Sequence, residues 1–374
     1  MLIAADRTIP FLRGALDALG EDVRYFSADE FSAGKVKDAD VLIVRSINKC
    51  TRKVLEGSRT KLITAASVGF DHIDTEYCDQ AGIVWRNAPG SNARSVAEYV
   101  LACLTVLALR NGDRLDGKTV GIVGVGYVGK EVERLCEAIG MKVLLNDPPR
   151  EDAEGAKGFV SPDTIAAEAD VITFHTPLTR KGKYPTIHLV HNDFIEKLCR
   201  HPCLINAARG AVCDTDALIT GRKRGKIGAL VIDCWENEPH IAGELLTIAD
   251  ITTPHIAGFS ADGKANAVRC CVEEISRFFN LPETRREEAL RRIRLPHPFR
   301  PLIDMTDFPD RRIERAILTV FTPHTIDMSL RQDPSSFEAL RSQYSHPREF
   351  SAYSILNATP EEALLLLRLG FSIP

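Results

Sequence analysis

The 374-residue sequence has little that would direct it to a membrane or to nucleic acid. Its longest apolar stretch, Val100–Leu109, is about half of the roughly 20 residues that a membrane-spanning helix needs. The formal net charge of -4 offers no excess of positive charge to either kind of partner. We therefore expect no nucleic-acid or membrane partner, and an anionic substrate must be held by locally placed basic residues. The first residues also lack a charged segment followed by an apolar one, so no signal peptide is expected.

The ten cysteines contain no CxxC pair. Cys199 and Cys203 flank His201, but no second ligand pair follows, so we predict no metal site. Scattered cysteines in a chain of this size, without a secretion signal, are typical of reduced thiols. The cytoplasm is therefore the expected location.

Short apolar segments alternate with longer segments of helical periodicity over most of the chain. The strand candidates are Leu2–Asp6, Val41–Val44, Leu62–Ala65, Val120–Val123, Val143–Asn146, Val171–Phe174, Leu204–Asn206 and Leu230–Asp233. This alternation predicts an α/β fold with parallel sheets and crossover helices. The regular series that starts at Val120 is typical of a doubly wound nucleotide-binding domain. A long helix is predicted over Ser91–Arg110, and the chain length favours two or three domains.

The motif Gly124–Gly129 (GVGYVG) follows an apolar strand and opens a helix, which is the context of a dinucleotide fingerprint. Gly124 permits a tight turn, Gly126 lets a pyrophosphate approach the backbone, and Gly129 lets the helix pack against the strand. Val128 lies among the free amides at the start of the helix, which attract phosphate. We predict that this motif binds the cofactor.

Asp147 lies eighteen residues after Gly129, at the end of the next predicted strand. A carboxylate there accepts hydrogen bonds from ribose hydroxyls and repels a 2′-phosphate, so NAD is expected rather than NADP. Arg150 works against this preference to a small degree. The alternative is a glycine-rich turn without a cofactor, which the order of strand, glycines, helix, strand and acid disfavours.

Three later segments each begin at the carboxyl end of a predicted strand, where doubly wound sheets bind ligands. They carry Arg209, Glu238 and His255. Oxidation of a 2-hydroxy acid needs a planar cation for the carboxylate, a base for the hydroxyl proton, and an acid that fixes the tautomer of the base. Singly, these residues can be a surface arginine, a solvated acid beside Glu236 and a structural histidine. Their joint occurrence favours catalysis.

The first half of the chain offers two further candidates. The loop Ser67–Asp71 follows a predicted strand, and its amides can bind a carboxylate. Arg45 and Lys49 follow another strand end and can meet a phosphate. The alternative for both is ordinary polar surface on a loop.

These segments resemble the D-isomer-specific 2-hydroxyacid dehydrogenases over about residues 1–280. Besides the glycine motif, the likeness rests on His175–Leu178, Ile205–Gly210, Asp233–Pro239 and Thr253–Gly258. The resemblance implies that Arg209, Glu238 and His255 are catalytic. It also implies that Thr176 and Asp233 line the nicotinamide side of the cofactor site.

Within that family the sequence is most similar to a branch that oxidises a small phosphorylated 2-hydroxy acid. The similarity lies in Val44–Ser46, Asn146–Arg150, Thr173–Leu178, His255–Phe259 and Gly263–Ala265. By position, the resemblance implies that Ser46 and Ser67 contact the substrate and that Gly258 lies near the cofactor. Ser67 replaces a common threonine and keeps its hydroxyl. Phe259 replaces a common tyrosine, which removes a phenolic hydroxyl from the substrate site.

The resemblance implies two doubly wound, Rossmann-like domains with the active site in the cleft between them. In this branch a small C-terminal α+β domain makes the homodimer. We expect a substrate domain over residues 1–98, completed by about 258–284, an NAD-binding domain over 99–257, and a dimerisation domain over 285–374. Sister dehydrogenases for 3-phosphoglycerate or formate, and an NAD-sensing corepressor on the same fold, remain alternatives.

Overall fold

The structure, a computed structural model, describes residues 1–19, 22–298 and 300–374. The strands are β1 (Leu2–Asp6), β2 (Asp22–Phe26), β3 (Val41–Val44), β4 (Leu62–Ala65), β5 (Val84–Arg86), β6 (Thr119–Val123), β7 (Lys142–Asn146), β8 (Val171–Phe174), β9 (Cys203–Asn206), β10 (Ala229–Ile232), β11 (Ile251–Thr252), β12 (Leu302–Asp304) and β13 (Ser354–Leu356).

The helices are α1 (Arg13–Leu16), α2 (Ala33–Val36), α3 (Arg52–Leu55), α4 (Thr75–Ala81), α5 (Ala93–Asn111), α6 (Tyr127–Ala138), α7 (Pro148–Glu154), α8 (Pro162–Glu168), α9 (Asn192–Glu196), α10 (Thr215–Lys223), α11 (Gly243–Ile248), α12 (Ala261–Phe278), α13 (Glu283–Arg291), α14 (Arg312–Val320), α15 (His324–Gln332), α16 (Phe337–Ser342) and α17 (Pro360–Leu369). Short 3₁₀ turns are found at Ala28–Glu30, Gly210–Val212, Met305–Asp307, Pro334–Ser336 and Phe350–Ala352.

The chain divides into two compact units. The first contains Met1–Asn92 and Ser260–Pro296, and the second contains Ala93–Phe259 and His297–Pro374. The chain therefore leaves the first unit before α5 and returns to it at α12.

The first unit is built on a five-stranded parallel sheet in the order β2-β1-β3-β4-β5. All residues of β3 and β4 are buried, as expected for central strands that are covered on both faces. Val268 and Val272 of α12 pack into the core with Ile3 and Val41 of the sheet. Because β3 and β4 are neighbouring parallel strands, the turns that follow them lie at the same edge of this sheet.

The second unit contains a six-stranded parallel sheet in the order β11-β10-β9-β8-β6-β7. An isolated parallel bridge between Leu145 and Phe159 extends the edge beyond β7. β7 and β8, the two strands that follow β6 in the chain, lie on opposite sides of β6. The loop after β6 and the loop after β8 therefore diverge from each other at this point of the sheet. In doubly wound sheets such a point binds the cofactor.

The C-terminal region belongs to the second unit. Its β12 and β13 pair in parallel, and α14 packs on α5. Ile303, Phe350 and Leu366 join the same apolar core as Val120 and Val100. The helix α5 is buried on most of its circumference, because it is covered by α6 and by this region.

The predicted fold class, two domains with doubly wound parallel sheets, is confirmed. Predicted strands agree with the observed ones to within one residue at each end, and β10 stops at Ile232 instead of Asp233. The helix predicted over Ser91–Arg110 is α5. The sequence did not predict β2, β5, β11, β12 or β13. The predicted domain limits stay predictions, because compactness does not test a substrate or dimerisation role.

Candidate active site

The three glycines of the loop after β6 have different surroundings. Gly124 has a positive φ of 90°, and a Cβ there would lie 2.9 Å from the carbonyl oxygen of His175. At Gly129 a Cβ would overlap the carbonyl oxygen of Gly124, because α6 packs directly on the turn. At Gly126 a Cβ would meet nothing within 4 Å among the described residues. The backbone is thus close-packed at the first and last glycine and open at the middle one.

Asp147 stands at the end of β7 and holds this loop. Its Oδ2 accepts a 2.8 Å hydrogen bond from the amide of Val125, and its Oδ1 caps α7 through the amide of Arg150. The Arg150 side chain donates to the carbonyl of Val125 and makes two hydrogen bonds to Glu154. The positive charge that weakened the prediction of NAD is therefore paired with a carboxylate.

The segment after β8 presents two buried polar atoms without a hydrogen-bond partner among the described residues. They are Nδ1 of His175 and Oγ1 of Thr176. Burial lowers the pKa of His175 to about 3, so its imidazole is neutral near pH 7. A Cβ at Gly124 would lie 2.9 Å from the Thr176 methyl group and 2.9 Å from the His175 carbonyl oxygen, so the Thr176 side chain and the His175 backbone adjoin the glycine loop. The open approach at Gly126, the free amides of α6 and these unsatisfied atoms fit a bound dinucleotide.

Asp233 follows β10 and is fully buried. Its carboxylate accepts hydrogen bonds from the hydroxyl of Thr253 at 2.6 Å and from the amides of Ile256 at 2.7 Å and Ala257 at 3.0 Å. The hydroxyl of Tyr99 lies 2.7 Å from the Thr253 hydroxyl. Burial raises the pKa of Asp233, while these hydrogen bonds oppose that rise. The carboxylate thus fixes the turn that follows β11.

His255 is held by this turn in a left-handed backbone conformation, with φ at 56°. For a residue other than glycine this conformation costs roughly 1–2 kcal/mol. The cost is offset by the Asp233 hydrogen bonds and by the amide of His255, which donates to the Asp233 carbonyl at 2.8 Å. A strained residue that is fixed from two sides is typical of a functional site.

His255 and Glu238 form a direct pair. Nδ1 of His255 lies 2.6 Å from Oε1 of Glu238, and the other carboxylate oxygen accepts a 3.2 Å hydrogen bond from the amide of Trp235. Burial tends to raise the pKa of Glu238, but the hydrogen bond and charge of His255, the Trp235 amide and the charge of Arg341 together lower it. Glu238 is therefore an anion near pH 7 and favours the Nδ1–H tautomer of the histidine.

The neighbouring acid, Glu236, has a different set of partners. One oxygen lies 2.7 Å from Nε2 of His188, and the other accepts a 2.8 Å hydrogen bond from the amide of Thr215. Of the two acids in this loop, only Glu238 is hydrogen-bonded to His255 in the described part of the chain.

Arg209 follows β9, the strand beside β10. Its Nη1 donates a 2.7 Å hydrogen bond to the carbonyl of Ala208, and its own carbonyl accepts one from Asn206 at 3.0 Å. A Cβ at Gly210 would overlap the carbonyl of Trp235, so the backbones of these two segments touch. The segments that carry Arg209, Glu238 and His255 follow three adjacent strands, β9, β10 and β11.

The predicted substrate residues of the first unit lie in the turns after β3 and β4. Arg45 donates from Nη1 to the hydroxyl of Thr8 at 2.8 Å. Ser46 follows it in the same turn and is half-buried. The Ser67 hydroxyl donates a 2.9 Å hydrogen bond to the carbonyl of Gly69. Because β3 and β4 are neighbours, both turns lie at one edge of the sheet.

Gly258 and Phe259 end the turn that carries His255, and both are half-buried. The ring of Phe259 stacks on the imidazole of His346, with centroids 5.6 Å apart and planes at 4°. The guanidinium of Arg341 lies over the Phe259 ring at 5.6 Å. Sequence reasoning missed His346 and Arg341, because they stand in a region without any motif that marks a ligand site.

Other classes of site find little support in the described residues. Three or more His, Cys, Asp or Glu side chains nowhere gather there in a group that could hold a metal ion. None of the helices described is long and apolar enough to cross a bilayer. All ten cysteines fall in the described part of the chain, and each is a free thiol.

Comparison with known proteins identifies the family of this chain. The family model for the NAD-binding domain of D-isomer-specific 2-hydroxyacid dehydrogenases matches residues 102–257. The erythronate-4-phosphate dehydrogenase of Porphyromonas gingivalis is 50% identical over 372 residues, which cover 99% of this chain and 100% of that protein. The enzyme of the same name from Bacteroides thetaiotaomicron is 45% identical over 356 residues, or 95% of this chain and 99% of the relative.

A solved structure supports the same assignment. The NAD⁺-bound 3-phosphoglycerate dehydrogenase of Entamoeba histolytica matches with a TM-score of 0.64 and 29% identity, over 75% of this chain and 95% of that one. The predicted cofactor, NAD, is confirmed by the family match. The chain therefore belongs to the D-isomer-specific 2-hydroxyacid dehydrogenases and, among them, to the family of the erythronate-4-phosphate dehydrogenases.

Proposed function

We propose that this NAD-dependent dehydrogenase oxidises 4-phospho-D-erythronate at C2 and releases 2-oxo-3-hydroxy-4-phosphobutanoate, in pyridoxal phosphate biosynthesis. The C2 hydroxyl loses a proton and C2 loses a hydride, so a carbonyl forms while the carboxylate and the phosphate stay unchanged. The observation that carries the proposal is the hydrogen-bonded pair of His255 and Glu238. It occurs in a chain that is 50% identical to an erythronate-4-phosphate dehydrogenase. NAD, when bound, accepts the hydride.

The proton is taken by Nε2 of His255. Nδ1 is engaged by the Glu238 carboxylate, so Nε2 is the nitrogen that remains for the C2 hydroxyl. As the proton arrives, the anionic Glu238 stabilises the imidazolium that forms. Arg209 holds the substrate carboxylate and the developing carbonyl oxygen, for which a planar guanidinium is suited. We assign the catalytic roles to these three residues.

The cofactor site is assigned to the loop after β6 and to the neighbouring strand ends. The open backbone at Gly126 and the unsatisfied hydroxyl of Thr176 support this assignment. The other residues assigned to it are Gly124, Val128, Gly129, Asp147, Asp233 and Gly258. Asp233 acts through the turn it fixes, because its carboxylate oxygens are occupied by internal donors.

The substrate site is assigned to Ser46, Ser67, Arg45 and Phe259. Hydroxyl and guanidinium groups suit an acid that carries several oxygens and a phosphate. Arg45, Ser46 and Ser67 are half-buried at one edge of the sheet, and this shared position supports the assignment. Phe259 contributes its ring, without the hydroxyl that a tyrosine would offer.

The chain acts as a homodimer in the cytoplasm, in this proposal. Leu364 and Leu367, three residues apart on α17, are 64% and 50% exposed, and Leu302 on β12 is 58% exposed. Apolar side chains of this size are usually covered when they recur on one helix face. Free thiols at all ten cysteines accord with a reducing compartment.

The function is tested by mixing the purified full-length protein with NAD and 4-phospho-D-erythronate. Enzyme is used in amounts comparable to substrate, so that a single turnover is seen even if reduced cofactor stays bound. We expect reduced nicotinamide by absorbance and the 2-oxo acid by mass spectrometry. Turnover of 3-phosphoglycerate or formate alone would overturn the substrate, and no turnover of any hydroxy acid would favour a cofactor-sensing protein.

A further inference from the structure

We infer that Arg341, from the C-terminal region, binds the phosphate of the substrate. This inference rests on the proposed function, since it names the group that recognises the far end of the proposed acid. Arg341 lies outside residues 102–257, the part that the family model matches, so it is not inherited from the nucleotide-binding domain.

Arg341 differs from four other half-buried arginines of the second unit in its lack of an ion-pair partner among the described residues. Arg94, Arg150, Arg311 and Arg331 each form an ion pair within their unit. Among the described residues, no Asp or Glu lies within ion-pair distance of Arg341, although its side chain is half-buried. A half-buried guanidinium without a counter-ion favours an anionic ligand.

The position of Arg341 points to the reacting centre. Its guanidinium carbon lies 5.6 Å from the centroid of the Phe259 ring. Phe259 comes four residues after His255, and its amide donates a 2.8 Å hydrogen bond to the carbonyl of Ile256. The charge of Arg341 also contributes to lowering the pKa of Glu238. The guanidinium of Arg341 is therefore near the His255–Glu238 pair but forms no ion pair with Glu238.

The Phe259 ring beside this guanidinium is itself part of an aromatic cluster. His346 stacks on Phe259, and the ring of Tyr344 lies 6.5 Å from that of His346. Burial and the nearby charge of Asp233 raise the pKa of Tyr344, so its hydroxyl stays protonated and is a donor. A guanidinium that stacks on an aromatic face keeps its N–H groups free at the edge, in the fork geometry that suits phosphate.

The chemistry of the substrate requires two separate cation sites. The carboxylate at C1 and the oxygen at C2 occupy Arg209, while the phosphate on C4 lies two carbons beyond C2. Arg45 is the competing candidate for the phosphate, but its Nη1 already donates to Thr8. Arg341 combines a guanidinium that has no carboxylate within ion-pair distance, in the part of the chain that the structure describes, with a position beside the turn of His255.

The test compares two acids that differ only in the phosphate, 4-phospho-D-erythronate and D-erythronate, on the holoenzyme. Arg341→Gln is expected to raise KM for the phosphorylated acid by about 10- to 100-fold and to change kcat by less than about threefold. KM for D-erythronate and for NAD should stay unchanged, and Arg341→Lys should recover part of the loss. Arg315→Gln, which removes an exposed arginine paired with Asp310, is the matched control.

Equal losses for both acids, or no loss for either, would overturn the role of Arg341. Calorimetric titration with inorganic phosphate gives a second measurement that needs no turnover. Wild type and the control should bind phosphate, and Arg341→Gln should bind it at least about tenfold more weakly. If wild type does not oxidise 4-phospho-D-erythronate, the proposed function fails, and phosphate titration alone decides the role of Arg341. Equal phosphate binding by wild type and Arg341→Gln, or none by either, contradicts it.

Discussion

Nδ1 of His255 lies 2.6 Å from Oε1 of Glu238, although the two residues are 17 positions apart in the chain. They meet because β10 and β11 are adjacent and parallel, so the loops after both strands lie at one sheet edge. Asp233 further fixes the backbone at His255, since its carboxylate accepts hydrogen bonds from the amides of the next two residues, Ile256 and Ala257. The histidine is therefore oriented from its ring and from its backbone.

Glu238→Gln should lower kcat by about 100- to 10,000-fold, because an amide neither stabilises an imidazolium nor enforces the Nδ1–H tautomer. The melting temperature should change little. Glu236→Gln, two residues earlier, is the control, since Glu236 binds His188 and Thr215 instead. Steady-state kinetics of both variants check this, and comparable losses in kcat would show that the loop, rather than the pair, carries the effect.

Gly126→Ala and Gly129→Ala should impair different properties, the first NAD affinity and the second stability. A Cβ at Gly126 meets nothing within 4 Å, so that variant should fold with a wild-type melting temperature and yet lose NAD affinity by at least about tenfold. A Cβ at Gly129 overlaps the carbonyl of Gly124, so that variant should be unstable. Thermal melts and NAD titrations separate the two, and full NAD affinity in Gly126→Ala would remove the loop from the cofactor site.

The preference for NAD over NADP should depend on two carboxylates. Asp147 holds the loop and repels a 2′-phosphate, and Glu154 neutralises Arg150. Asp147→Ser should raise KM for NAD by about tenfold, and adding Glu154→Gln should free Arg150 and improve use of NADP. Glu154→Gln alone is the control and should leave KM for NAD near its normal value. If the double variant uses NADP no better than wild type, the assignment of Asp147 is wrong.

Glu98 is a buried carboxylate that joins α5 to the C-terminal region. It pairs with Arg94 at 2.6 Å and accepts hydrogen bonds from the amide of Phe350. Burial, opposed by Arg94 and reinforced by the charge of Glu349, raises the pKa of Glu98 from 4.5 to about 8. Between these two values the folded chain keeps a proton that the unfolded chain has released.

The free energy of unfolding should therefore fall as pH rises from about 5 to 8, because the unfolded state binds fewer protons in that window. The slope from this one group is at most about 1.4 kcal/mol per pH unit. Glu98→Gln does not titrate, so its unfolding free energy should fall less steeply. Urea unfolding of both proteins at several pH values checks the slope, and parallel curves would mean that Glu98 is ionised throughout.

Leu364→Lys together with Leu367→Lys should convert the proposed dimer to monomer, because both leucines are exposed on one face of α17. Thermal unfolding of the monomer should remain cooperative, since Leu366 and Leu369, on the buried face of α17, are unchanged. Exposed Met328, on α15, supplies the control substitution Met328→Lys. Sedimentation at equal protein concentrations distinguishes the forms, and an unchanged mass would place the interface elsewhere.

The sequence was most informative where local patterns have one physical meaning. Strands such as Val41–Val44 are buried on both faces, so they read as unbroken apolar runs, and the glycines mark unusual backbone positions. β2 was missed because it is an edge strand with exposed Asp22 and Arg24, and β12 because it has three residues with Leu302 exposed.

The partners of individual side chains could not be read from the sequence. Glu236 and Glu238 are the same residue type in one loop, so the sequence does not distinguish their roles. Only the fold shows that Glu236 contacts His188 and that Glu238 contacts His255. Arg341 stands 86 positions after His255, and no periodicity links them. Contacts of this kind depend on how α16 packs within the second unit, which local propensity does not encode.

The most direct test of the central claim follows the hydrogen on C2. Wild-type protein is mixed with NAD and 4-phospho-D-erythronate deuterated at C2, and the reduced cofactor is examined by mass spectrometry. The account predicts that the deuterium is transferred to the nicotinamide ring, with a slower turnover than for the unlabelled acid. Reduced cofactor without the label, or no reduced cofactor at all from this acid, would contradict it.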